Sequence, residues 1–240
     1  MKFSNPLQSI AVALSIGVLA GCAQTVETSS TSSPDGDEQK VRFQQIRNAT
    51  VKLEYADTTF LVDPMLAEKG AYPGFEGTVN SHLRNPTVEL PMSIDDAMQA
   101  DAVILTHLHP DHWDEAAKKR LPKSIPIFAQ NEEDAQSIRS DGFSNVKVMS
   151  EKTVFRGTQL SLTDGQHGSD EMLAQLGPVL GKVSGVVFER PGYETVYLAG
   201  DTVWNKHVVD AIDRYQPDVI VLNTGYARVL GFDGAILMGK

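Results

Sequence analysis

Three histidines and an aspartate fall within six residues, His107-Leu108-His109-Pro110-Asp111-His112, just after the apolar run Ala102 to Leu105. Imidazole nitrogens and carboxylate oxygens are the usual ligands of zinc and related ions. Side chains two apart in extended chain project the same way, so His107 and His109 share a face. Pro110 then turns the chain. Asp111 and His112 stand at the start of an expected helix and can face a second ion. The fold must therefore deliver this loop from the end of a buried strand. The bland alternative is a solvated histidine-rich turn.

The pattern around the cluster is strand-rich. Val51, Leu53 and Tyr55 alternate with Lys52 and Glu54, as in a half-exposed strand. Ala56-Asp57 reads as a turn, and Thr58 to Val62 as the returning strand. Three apolar runs, Ala102 to Leu105, Val196 to Ala199 and Val219 to Leu222, read as strands covered on both faces. Strands are also expected at 125–129, 146–150, 153–163 and 183–189. Helices are expected around Trp113 to Arg120, Asn131 to Ser140 and Val203 to Tyr215. Mixed strands with intervening helices indicate an α/β sandwich. Residues 64–92 carry Pro64, Pro73, Pro86 and Pro91 with Gly70, Gly74 and Gly77 and show no period. A connection of that length is functional or disordered, and Tyr72 and Phe75 favour a packed lid.

The N-terminus has Lys2, an apolar run from Ser9 to Ala20, and then Leu19-Ala20-Gly21-Cys22. The run is shorter than the roughly 20 residues a spanning helix needs, and it fits a cleaved signal. The last four residues resemble a bacterial lipoprotein box, which implies cleavage before Cys22 and acylation of its thiol. The expected organisation is a signal peptide over 1–21, a Ser/Thr-rich disordered tether over 22–40 and a folded domain over 41–240. Ala23 after the cysteine implies anchoring in the bacterial envelope, facing the periplasm. Cys22 is the single cysteine, which excludes a disulfide framework. Acidic residues outnumber basic ones, 31 to 21, for a net charge of −10. That argues against a nucleic-acid partner, which needs clustered Lys and Arg.

The run THLHPDHWD at 106–114 resembles the signature of the metallo-β-lactamase superfamily. His167, in Asp164-Gly165-Gln166-His167-Gly168, and Asp201, in Ala199-Gly200-Asp201-Thr202, follow in the family's order. The likeness covers residues 41–240 and implies a four-layer αββα sandwich with two divalent ions at one edge. Zinc is expected from the ligand chemistry, with manganese as the alternative. By position, His107, His109 and His167 would hold the first ion, and Asp111 and His112 the second. Asp201 would bridge them. Asp111 and Asp201 are the expected catalytic carboxylates. Two ions sharing a water lower its pKa and present hydroxide at neutral pH.

Within the superfamily, LVDP at 61–64, PGFEGT at 73–78 and GDTVW at 200–204 make the chain similar to the ascorbate-6-phosphate lactonase-like group. The implied reaction is hydrolysis of a small-molecule lactone, ester or phosphoester. The alternatives are an N-acyl phosphatidylethanolamine-type phosphodiesterase and a catalytically impaired metal-binding lipoprotein. The second alternative arises because members usually add one more histidine downstream. Here only His207 follows Asp201, at a spacing that does not fit. The apolar run Gly234 to Lys240 suggests a strand and a C-terminally shortened domain. Asp63 is expected to hold a ligating histidine by its other ring nitrogen. His82 and Arg84 in the lid are candidate contacts for an anionic group.

Overall fold

A computed structural model describes residues 41–239. The expected signal peptide and tether lie outside the described residues. In chain order the elements are β1 (Arg42–Arg47), β2 (Thr50–Tyr55), β3 (Thr58–Val62), α1 (Ile94–Met98), β4 (Ala102–Leu105), α2 (Glu115–Arg120), β5 (Ile127–Ala129), α3 (Glu132–Ser140), β6 (Val146–Val148), β7 (Thr153–Phe155), β8 (Thr158–Asp164), α4 (Asp170–Leu180), β9 (Ser184–Glu189), β10 (Val196–Leu198), α5 (Lys206–Tyr215) and β11 (Val219–Val221).

The strands form two sheets, ordered β1-β2-β3-β4-β5-β6 and β11-β10-β9-β8-β7. In the first, β1 to β3 pair antiparallel and β3 to β6 run parallel. In the second, β7 to β10 pair antiparallel and β11 joins β10 in parallel. Strand periodicity explains the core. Phe60, Val62, Ala102 and Ile104 face inward and meet Leu160, Val186, Phe188 and Leu198 of the other sheet. The Phe60 and Phe188 rings meet edge-on, 5.2 Å between centroids. Leu61, Val103, Leu105 and Ile127 face outward, under Ala97, Ala117, Ala135 and Ile138 of α1 to α3. Val187 and Tyr197 face outward from the second sheet, against Val208 and Ala211 of α5 and Met238. The layers are helix, sheet, sheet and helix, the expected αββα sandwich.

Several local expectations change. The stretch 153–163 is not one strand. It breaks at Arg156-Gly157, both with positive φ (48° and 82°), the geometry of a tight hairpin turn. Ala56-Asp57 makes the same kind of turn between β2 and β3, with φ of 49° and 61°. β11 is an edge strand, and Ile220 is exposed, so it is not covered on both faces. Gly234 to Gly239 is not a strand. Its Met238 packs under α5, and Ile236 N–H donates to Ala227 O. α1 and α4 are additional helices.

The lid is packed where it leaves β3. Met65, Leu66 and Ala67 are buried, and Asp114 Oδ2 accepts from Leu66 N and Ala67 N at 2.9 and 2.8 Å. The buried Arg47 guanidinium donates to Met65 O and, at 3.1 Å, to Val88 O, so it holds both ends of the insertion. The tip pairs with the C-terminal stretch, Val79 N–H to Arg228 O at 3.0 Å and Leu230 N–H to Gly77 O at 2.8 Å.

Candidate metal centre

β3 and β4 are parallel neighbours with Val62 opposite Ile104, so the residues after them emerge side by side. Asp63 follows β3 in a left-handed conformation, φ 47°. Its Oδ1 accepts from Thr106 N at 2.8 Å, and its Oδ2 from Thr106 Oγ1 at 2.6 Å. The histidine loop then leaves β4. It is held by His112 N–H and Trp113 N–H, both donating to His109 O at 2.9 Å. Trp113 plugs into the helix layer against Phe143, and Asp114 caps α2 by accepting from Ala117 N at 2.7 Å. Truncating a buried Trp costs about 3–5 kcal/mol, so the loop is pinned firmly.

The second sheet supplies the rest. His167 lies in the loop after β8, and Asp201 lies just beyond β10. Gly200 positions Asp201 with φ 69°, where an added Cβ would sit 2.3 Å from Ser184 O. Only glycine meets both demands without shifting the backbone.

Four imidazoles gather here. His107 lies 4.0 Å from His112 and 4.4 Å from His109, and His109 lies 5.3 Å from His167, between ring centroids. His107, His112, His167 and Asp201 are buried, while His109 and Asp111 are partly exposed. Ligand atoms fall into two groups, His107 with His109 and His167, and His107 with His112 and Asp201, each within 4.8 Å of one another. Asp201 Oδ2 is 3.1 Å from His112 Nε2 and 3.9 Å from His167 Nε2, so it reaches both groups. Asp111 stands at the margin, outside both groups, with Oδ2 4.0 Å from His112 Nε2.

Each ring has one nitrogen already engaged. His112 Nδ1–H donates to Asp63 Oδ2 at 2.9 Å, the role expected of Asp63. His167 Nδ1–H donates to Ile236 O at 2.9 Å, and His109 Nε2–H to Val179 O of α4 at 3.0 Å. Thr106 Oγ1 gives its proton to Asp63 and takes one from His107 Nδ1 at 3.3 Å. The opposite nitrogens of His107, His109 and His167 are left as lone pairs toward the cluster, while His112 Nε2–H donates to Asp201 Oδ2 at 3.1 Å and must give up that proton to bind an ion. His107 Nε2 is buried with no partner at all. An orphaned buried nitrogen is costly unless something binds it, and the donor set around it suits a divalent ion.

The charges are coupled. Burial and then His112 push His107 well below its ordinary value, and burial also lowers His167. Burial opposes the charge on His112, but Asp201, Asp63 and Asp111 lift it well above its ordinary value. Burial likewise disfavours the Asp201 carboxylate, yet His112 holds it well below the carboxylate range.

His207 is not brought to the cluster. It sits at the start of α5, exposed, 4.0 Å from Asp164. His82 is exposed, and Arg84 spends its guanidinium on Gly70 O and Ala71 O at 2.6 and 3.0 Å, within the insertion. Residues that sequence reasoning passed over are Asn223, Val179 and Ile236. Of these only Asn223 left a signal, as the polar residue soon after an apolar strand run.

An αββα sandwich with a His/Asp cluster where strands of both sheets end defines a metal-dependent hydrolase of the metallo-β-lactamase fold. Residues 58–233 match the family model described as the Beta-lactamase superfamily domain. The chain is 49% identical to the UPF0173 protein YddR of Bacillus subtilis, over 82% of this chain and 76% of that protein. It is 51% identical to the crystal structure of isothiocyanate hydrolase from Delia radicum gut bacteria, with a TM-score of 0.79 over 82% of this chain and 76% of that one. A possible metal-dependent hydrolase from Veillonella parvula is 50% identical, with a TM-score of 0.81 and the same coverage. The chain belongs to the UPF0173 family of the metallo-β-lactamase superfamily.

Proposed function

We propose that this hydrolase holds two divalent ions, zinc by ligand chemistry, and cleaves a small-molecule lactone, ester or phosphoester. His107, His109 and His167 would hold one ion, and His112 with Asp111 the other, with Asp201 serving both. Divalent ions held there supply an activated water at neutral pH and withdraw electrons from the bond under attack. The observation that carries the reading is the buried, partnerless His107 Nε2 at the point both ligand groups share. Asp63, Ile236 O and Val179 O keep the rings in the tautomers that ligation needs. Asp111 and Asp201 are the carboxylates that would orient the water, and the partly exposed Asp111 is the one left to take up its proton. The lactone branch is supported by the LVDP, PGFEGT and GDTVW motifs.

A second electrophile belongs beside these. One relative at 51% identity carries the name isothiocyanate hydrolase. Water added across R–N=C=S leaves an amine and carbonyl sulfide, chemistry that the same activated water can perform. The test is metal content by elemental analysis, then turnover of a lactone, a phosphodiester and a benzyl isothiocyanate probe. Two ions per chain and metal-dependent turnover of one class are expected, with His107→Ala losing the ion shared with His109 and His167 and falling to background. No turnover in fully loaded protein, or an unchanged His107→Ala, would overturn the reading.

The site of action proposed is the bacterial envelope, with the chain lipid-anchored at Cys22 and facing the periplasm. Lys2, the apolar run and Leu19-Ala20-Gly21-Cys22 support it. Cys22→Ala is expected to move the protein from the membrane to the soluble fraction. An unchanged distribution would count against the anchor.

A further inference from the structure

We propose that Asn223 is a positioning residue that makes Asp201 a bridge through one oxygen. A carboxylate has two equivalent oxygens, and rotation about its last bond exchanges them. Left free, it can close on one ion with both oxygens and abandon the other. A donor fixed to one oxygen removes that choice.

The fold brings the two residues together by register. β10 and β11 are parallel, Leu198 lies opposite Val221, and Ala199 N–H donates to Val221 O at 3.0 Å. Asp201 and Asn223 therefore emerge from adjacent strand ends. Asn223 Nδ2 donates to Asp201 Oδ1 at 2.6 Å. An ionised carboxylate only accepts, so the amide must present its NH2. Oδ2 is then the oxygen that lies 3.1 Å from His112 Nε2 and 3.9 Å from His167 Nε2. Asn223 also walls a small cavity of about 10 Å³ that Asp63, Thr106 and Gly200 share. Shortening its side chain adds space beside Asp201 as well as removing the donor. Both effects release the carboxylate to turn.

This role rests on the two-ion reading above, and the experiment separates the two. Zinc affinity is measured on the full chain by competition with a chromophoric chelator, and the cobalt(II)-loaded protein is followed by its visible spectrum. Wild type, Asn223→Ala and Asn223→Asp are compared, with melting of each metal-free protein as the folding control. Asn223→Asp keeps the shape and replaces the donor with an acceptor, so it tests the bond even where the smaller side chain loosens the strand end. The expected result is that Asn223→Ala weakens the second ion about 10–100-fold and changes the cobalt spectrum, and Asn223→Asp weakens it further. A residue with a purely structural role would shift melting and leave the spectrum alone. Wild-type affinity and spectrum in both variants, with two ions bound, overturn the role of Asn223 only. A wild type that takes up no ion overturns the metal reading and this role together.

Discussion

The centre has two halves built in different ways. The first sheet contributes His107, His109, Asp111 and His112 from one short loop, braced by side chains. Asp63 receives Thr106 N, Thr106 Oγ1 and His112 Nδ1, and Trp113 and Asp114 tie the loop to the helix layer. The second sheet contributes His167 and Asp201 from separate loops. They are braced by Ile236 O, by Asn223 and by the strand end at Gly200. The first half rests on one pair of parallel strand ends, β3 and β4, and the helix layer over them. The second exists only when β8, β10, β11 and the C-terminal stretch are all in place. A change in the first half should act on one ligand group with little effect elsewhere, whereas the second half registers changes in distant chain.

The strongest way to break the contrast is Asp63→Asn. The carboxylate accepts from three donors at once, through both oxygens. An amide of the same shape accepts through one oxygen only, so at least one donor meets another donor. His112 loses its orienting partner in one orientation, and Thr106 N in the other. Zinc affinity is expected to fall about 10–100-fold in chelator competition, with the drop confined to the group that contains His112. Equal loss from both groups would show that the first half is not the separate unit described.

The same division explains what was legible in the sequence. The histidine loop could be read because its residues fall within six positions just after an apolar run, and Asp63 because it closes a readable strand before a proline, although it meets Thr106 and His112 only across the pairing of β3 with β4. Asn223 could not, because it meets Asp201 only through the parallel pairing of β10 with β11, and a lone Asn after a strand reads as a turn residue. α4 was hidden by Gly177-Pro178, which look like helix breakers. Pro178 sits in the last turn, and the helix ends at Gly181 with φ 66°. α1 is five residues, too short for a 3.6-residue period to register. The lid was legible as packed through its aromatics. Tyr72 does reach Asp114, OH to Oδ2 at 3.3 Å, while Phe75 stays exposed. Its anchoring by Arg47 depends on a strand far upstream, and no pattern within the insertion points to it.

The smaller effect concerns protons, and it separates the halves by sign. In the metal-free protein, His112 of the first half is held well above the ordinary histidine value of 6.5 by Asp201, Asp63 and Asp111, against its burial. A raised folded value gives stability that is fully present below 6.5 and lost as pH rises through the folded value. His167 of the second half is lowered, chiefly by burial, and so is the shared His107. A lowered folded value gives stability that is present above 6.5 and lost as pH falls below it. The two trends meet, so urea unfolding of metal-free protein should show a shallow stability maximum near pH 6.5. His112→Asn should remove the decline on the alkaline side, and His167→Asn should reduce the decline on the acid side. Zinc should erase the alkaline decline, because the ion displaces the His112 proton. Stability that rises steadily from pH 5.5 to 8.5 in the metal-free wild type would mean that His112 carries no charge there. The carboxylates around it would then be bracing a neutral ring.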